Sequence, residues 1–159
     1  MAELTILNGP NLNLLGEREP EIYGTTTLAA IEDSCRDLCG SLGIELVFRQ
    51  SNVEGELINL IHAARRTSQA LVINPAGLSF YSVSLVDALR TFAGPIVELH
   101  LSNIHARDEL HRHSIVSSSA TTVICGAGPY GYTLAVLAAA RALGALPAGL
   151  PEAIRSGPA

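Results

Sequence analysis

Five short apolar runs, separated by stretches with helical spacing, limit what this chain can become. The runs are Leu4 to Leu7, Ile44 to Phe48, Ala70 to Asn74, Ile96 to His100 and Thr121 to Cys125. The first is too short and too apolar for an exposed strand and reads as a buried parallel one. Between the runs, Thr27 to Leu42 carries apolar residues at 28, 31, 35, 38, 39 and 42, with Gly43 to close the helix. Glu54 to Thr67 places Leu57, Leu60, Ile61 and Ala64 on one face. Ser82 to Phe92 and the Ala- and Leu-rich Tyr130 to Leu143 read as two further helices. Strands that alternate with helices imply a parallel sheet covered on both sides.

Five such units predict a flavodoxin-like, doubly wound α/β domain: a five-stranded parallel sheet inside three α/β/α layers. Ligands of such folds sit beyond the carboxyl ends of the strands, where the strand order reverses. Polar clusters begin at three strand ends here, at Asn8, Asn74 and His100. A length of 159 residues suits one domain, and 48% hydrophobic content supplies its core. The domain is expected over residues 1–143. Residues 144–159, with three prolines and three glycines, read as a flexible or loosely docked tail. No apolar run reaches the ~20 residues of a membrane span, and the first residues lack the pattern of a signal peptide. A cytoplasmic protein with no membrane partner is expected. A net charge of −5 argues against a general nucleic-acid binder. Cys35, Cys39 and Cys125 read as small buried groups; no Cys-x-x-Cys supports a zinc site.

The connection after the first strand runs from Asn8 to Thr26, far longer than the ~2–6 residues usual between strand and helix. Long loops of this kind are commonly functional lids. Leu12, Leu14, Leu15 and Ile22 are expected to give it apolar packing of its own. It also carries Asn11, Arg18 and Tyr23. A free tyrosine loses its proton only near pH ~10, so Tyr23 needs a cation nearby to act as a base; Arg18 is five positions away. Glu98 and His100 stand two apart in the fourth strand, on one face, where a carboxylate can orient an imidazole. Gly126-x-Gly-x-x-Gly131 matches a dinucleotide fingerprint in letters but lies at the last turn, with no acidic residue where one is needed. The histidines at 100, 105, 111 and 113 lack metal-binding helical spacing.

The run Asn-Gly-Pro-Asn-Leu-Asn-Leu-Leu-Gly-x-Arg-x-Pro-x-x-Tyr-Gly, from Asn8 to Gly24, resembles the signature of the type II dehydroquinases (3-dehydroquinate dehydratases). The resemblance continues through Arg49-Gln-Ser-Asn52, Ile73-Asn-Pro75, Glu98 to Arg107 and Gly126 to Tyr132, and covers about residues 4–143. It implies that Tyr23 is the base, Arg18 its activator, and Asn11 the holder of a water that stabilises an enolate. His100, with Glu98, would protonate the departing hydroxyl. Asn74, the Leu101 and Ser102 N–H groups and the Ser102 hydroxyl would hold the substrate carboxylate. It also implies no cofactor, no metal, and trimers assembled into dodecamers.

The sequence departs from that pattern at one end of the pocket. Phe80 stands where the family has histidine, and His111 where it has arginine, with Arg112 beside it as an alternative donor. Those two groups, with an aspartate from a neighbouring subunit (Asp87 here), bind the C4 and C5 hydroxyls of dehydroquinate in the family. Val86 also replaces a common arginine. Phenylalanine offers no hydrogen bond, and histidine lacks the guanidinium fork. The expected function is therefore removal of water from a β-hydroxy ketone through an enolate. The substrate is 3-dehydroquinate or, the favoured reading, a related carboxylated ring with a less polar far end. The rival classes are a catalytically silent binding protein and a flavodoxin-like cofactor carrier; the retained Tyr23, Arg18, Asn11, Glu98 and His100 speak against the first. The lack of tryptophan and of a phosphate loop speaks against the second.

Overall fold

The computed structural model describes residues 1–155, apart from the side chains of Tyr23 and Ala153. Its elements are β1 (Ala2–Asn8), α1 (Pro20–Tyr23), α2 (Leu28–Ser41), β2 (Ile44–Gln50), α3 (Glu54–Thr67), β3 (Ala70–Asn74), α4 (Val83–Leu89), β4 (Ile96–His100), β5 (Thr122–Cys125), α5 (Tyr130–Ala142) and α6 (Glu152–Arg155). The strands form one parallel sheet in the order β2-β1-β3-β4-β5. This is the doubly wound arrangement expected from the alternation of elements.

The period-two geometry of strands divides the core. Leu4 and Ile6 of β1 face one layer, built from Ile31, Cys35 and Cys39 of α2 and Ala135, Val136 and Ala139 of α5. Leu7 of β1 faces the other, built from Leu57 and Ile61 of α3 and Leu85 and Leu89 of α4. The strand order reverses between β1 and β3, whose last residues, Asn8 and Asn74, are register partners. A crevice opens at that reversal, where ligands of such folds sit.

Local chemistry explains several boundaries. The Thr27 side chain accepts from the Ala30 N–H and starts α2. Ser82 does the same for Leu85 at the start of α4. That helix ends at Leu89 rather than at Phe92 as the spacing predicts. The chain turns there with Arg90 as its cap, ahead of Gly94, which lies against the Gln69 carbonyl where a Cβ would stand 2.3 Å away. Val86 is buried in the core on the inner face of α4, whereas Asp87 is exposed. In the segment after residue 143, Ala145 and Leu146 pack on the core and α6 forms a single turn; residues 156–159 lie outside those described. No helix among the described residues is long and apolar enough to cross a membrane.

Candidate active site

The carboxyl ends of β1, β3 and β4 and the first loop enclose a crevice of about 180 Å³. Among the expected residues, Asn11, Arg18, Asn74, Phe80, His100, Leu101, Ser102 and His111 all line it. Asp87 does not line the crevice of its own chain; it faces outward from α4. Tyr23 closes α1, so its backbone stands at the end of the same loop.

The first loop is built rather than slack. Leu12 and Leu15 are buried and tie it to the core, with Leu12 in a 3-10 turn (Leu12–Leu14) that follows Asn11. Leu14 and Ile22, expected to pack inward, are instead exposed, Leu14 at the lining of the crevice. Asn11 adopts a left-handed backbone (φ 70°), which asparagine tolerates better than most residues. Its N–H donates to the Asn52 side-chain oxygen at 2.8 Å, and Gln50 donates to the Gly9 carbonyl at 3.2 Å. The Arg49-to-Asn52 stretch at the end of β2 therefore anchors the loop. Arg18 lies in an ion pair with Glu19 at 3.4 Å, half-exposed at the rim.

The opposite wall is buried. Glu98 is fully enclosed and accepts three hydrogen bonds: from His100 Nε2 at 2.7 Å, from the Ser117 hydroxyl at 2.5 Å and from the Ser114 hydroxyl. Burial pushes the Glu98 carboxyl up, but the bonds from His100, Ser114 and Ser117 and the proximity of His100 outweigh it and hold the group below the usual carboxylate range. A carboxylate only accepts, so His100 Nε2 carries a proton. That leaves Nδ1 as the ring nitrogen free for a ligand. Ser114 and Ser117 were not foreseen as site residues. The signal was available: a carboxylate buried in a strand requires donors, and two serines three apart share one side of a turn.

At the far end, the Phe80 ring stacks near His100 (centroids 6.3 Å, 26° between planes) and meets His111 edge-on (5.5 Å, 82°). His111 Nδ1 is held by Asp108 at 2.8 Å. That contact holds the Asp108 carboxyl below its ordinary range. His111, not Arg112, faces the crevice; Arg112 pairs with Glu109. Arg107 also lines the crevice, although the sequence reading gave it no role. No group of three or more His, Cys, Asp or Glu side chains suited to a metal ion exists among the described residues.

This geometry invites comparison with known proteins, and a family profile described as "Dehydroquinase class II" matches residues 2–140. The chain belongs to the type II dehydroquinase family. Membership makes it a dehydratase, that is, a hydro-lyase. It is 52% identical to a 3-dehydroquinate dehydratase of Caulobacter vibrioides over 84% of this chain and 92% of that one. Its fold superimposes on a type II dehydroquinase from Propionibacterium acnes with a TM-score of 0.82 at 42% identity, covering 86% of this chain and 94% of that one. A 3-dehydroquinate dehydratase-like protein from Bifidobacterium longum is a more distant neighbour, with a TM-score of 0.66 at 29% identity over 90% and 98% of the two chains.

Proposed function

We propose that this dehydroquinase-family enzyme removes water from a carboxylated cyclic β-hydroxy ketone whose far end is less polar than that of 3-dehydroquinate. Tyr23 takes the proton beside the carbonyl, with Arg18 as the cation that favours tyrosinate. Asn11 and a held water support the enolate. His100, oriented by Glu98 through Nε2–H, carries a second proton on Nδ1, gives it to the leaving hydroxyl and is left as the neutral Nε2–H imidazole. Asn74 and the turn at Leu101 and Ser102 hold the carboxylate. The reaction needs no cofactor. Three subunits share their sites, with Asp87 on the outward face of α4 entering the crevice of a neighbour, and trimers assemble into dodecamers. Exposed Tyr81 and Val83 beside Asp87 support a contact there.

The observation that carries the altered specificity is the Phe80 ring between His100 and His111. It puts an apolar surface where a diol would need donors, and His111 is already engaged by Asp108. Each substrate hydroxyl left unpaired costs roughly 1–3 kcal/mol, so two lower selectivity by orders of magnitude. The test follows the enone absorbance of purified protein with 3-dehydroquinate. Turnover is expected to be weak and to rise in the double variant Phe80→His, His111→Arg. A wild-type kcat/KM of about 10⁴ M⁻¹s⁻¹ or more, an ordinary enzyme efficiency, contradicts the proposal. The enzyme is then a plain dehydroquinase, a reading that the 52% identity to a protein of that name favours.

A further inference from the structure

Beneath the crevice lies a buried line of hydrogen bonds that joins β1, β3 and α5. Arg49 C=O faces an Asn8 side-chain atom at 3.0 Å. A carbonyl only accepts, so that atom is Nδ2. Asn8 Oδ1 then faces the Tyr132 hydroxyl at 2.7 Å and accepts its proton. The phenol oxygen, its proton committed, accepts from Asn74 Nδ2 at 3.1 Å. At the other end the Ala76 N–H, which only donates, meets Asn74 Oδ1 at 3.3 Å. Main-chain groups of fixed polarity close both ends, so neither amide is free to turn over. Among the described residues, Asn74 thus has one Nδ2 hydrogen uncommitted.

We infer that Tyr132 and Asn8 are positioning residues that lock the Asn74 amide with its N–H, never its C=O, toward the substrate. The inference rests on the reading that Asn74 holds a substrate carboxylate. An amide oxygen turned toward that carboxylate would repel it; the locked N–H attracts it. Tyr132 is fully buried, and burial pushes its phenol up, so it remains a neutral donor at any working pH.

The same line accounts for the glycine pattern before Tyr132. A Cβ on Gly131 would stand 2.8 Å from a Leu99 methyl, so glycine there lets the first turn of α5 settle on β4. That approach brings Tyr132 beneath the ends of β1 and β3. Gly131, the last glycine of the run that resembles a nucleotide loop, serves here to seat one phenol.

Tyr132→Phe keeps the ring, its place beside Phe48 and its apolar burial, and removes only the hydroxyl. Calorimetric binding of 3-dehydroquinate is expected to weaken about tenfold in this variant, with kcat falling less than KM rises. In an Asn74→Ala background the same change is expected to alter binding by less than about twofold, because the group it acts through is gone. Asn8→Ala, which leaves the phenol without its acceptor, is expected to weaken binding as Tyr132→Phe does and serves if that variant misfolds. A double-mutant cycle on urea unfolding with Tyr132→Phe and Asn74→Ala supplies a measurement without ligand, and strong coupling is expected there. Unchanged binding in Tyr132→Phe, or equal loss with and without Asn74, overturns the inference. If neither the wild type nor the Phe80→His, His111→Arg variant binds dehydroquinate while the unfolding cycle shows coupling, the line serves the fold alone. That result overturns the positioning role together with the carboxylated-ring reading, whereas wild-type binding with an indifferent Tyr132→Phe variant overturns the positioning role only.

Discussion

Replacing Glu98 by glutamine is a near-isosteric way to remove one charge from the buried wall. The carboxylate accepts three side-chain hydrogen bonds and is fully enclosed. Glutamine keeps an acceptor for His100 and Ser114, and Ser117 can rotate to accept from the new NH₂. What is lost is the charge-assisted part of the set, about 1.5–3 kcal/mol for bonds to an ionised group. At about 2–4 °C per kcal/mol for a domain of this size, the melting temperature at pH 7 should fall by roughly 3–12 °C. The pH dependence gives the sharper signature. The folded-state pKa of Glu98 is lowered, below an unfolded value of about 4.3. Its contribution to stability is therefore complete above that unfolded value and is lost as pH falls through the folded one. Urea unfolding of both proteins from pH 7 down to pH 3 should show a gap that narrows as the medium becomes acid. Turnover should fall by about 10²–10⁴, the usual loss when a general acid is disabled. A gap constant across that pH range would show that the carboxylate is not held ionised by its three donors.

Tyr23→Phe should abolish turnover with the fold intact, and Arg18→Ala should be nearly as damaging; a tenth of wild-type rate surviving in the first variant would exclude Tyr23 as the base. Burial pushes the Cys35 thiol up to about 12 and the Cys39 thiol up to about 11, so a thiol-disulfide reagent at pH 8 should find at most one reactive cysteine in the native protein, half-buried Cys125, and a count of three would contradict that. Gly9→Ala should destabilise by about 1–3 kcal/mol in urea, because a Cβ there would stand 2.5 Å from the Pro75 carbonyl oxygen; an unchanged midpoint would mean that the turn after β1 is not tightly seated on β3. Light scattering should report a mass far above 16.7 kDa, and an Asp87→Ala subunit should lose activity without losing its own fold; a monomer would leave the crevice without its neighbour's carboxylate.

The alternation of apolar runs and helical spacing was enough to read a parallel sheet covered on both faces, whereas the strand order belongs to the folded chain. α3 and β3 begin and end where the spacing places them. α4 does not, since its end depends on Gly94 meeting the Gln69 carbonyl, a contact between distant segments that periodicity does not carry. The site divides the same way. Glu98 and His100 share a strand, so their pairing is local and legible. The donors that make Glu98 a buried anion come from residues 114 and 117, in a segment of short turns with no pattern of its own. Tyr132 reaches Asn8 and Asn74 across the whole topology and was visible only as the last letter of a motif. Asn11 was legible by family likeness alone; its left-handed backbone and its tie to Asn52 are properties of the folded loop.

The crevice is therefore made of parts with different tolerance to change. His100, the proposed acid, rests on β4 and a buried carboxylate, and Asn74, the proposed carboxylate holder, on a line closed by main-chain groups at both ends; substitution within either disturbs the fold as well as the chemistry. Phe80 and His111 belong to neither network. Phe80 ends a 3-10 turn (Ala76–Phe80) and is only half-buried, and His111 sits in a short turn at the rim, its ring held by Asp108. Side chains there can be exchanged while Glu98, His100, Asn74 and Tyr132 keep their partners. Under the proposed function, this arrangement lets specificity change at one end while the reacting half of the site is retained. It carries a measurable consequence: Phe80→His with His111→Arg should shift substrate preference by orders of magnitude while moving stability by less than about 1.5 kcal/mol, the range of surface and volume-tolerant changes. A much larger stability loss would mean that the aromatic contacts of Phe80 with His100 and His111 hold the catalytic wall together, and that specificity and fold are coupled at this end after all.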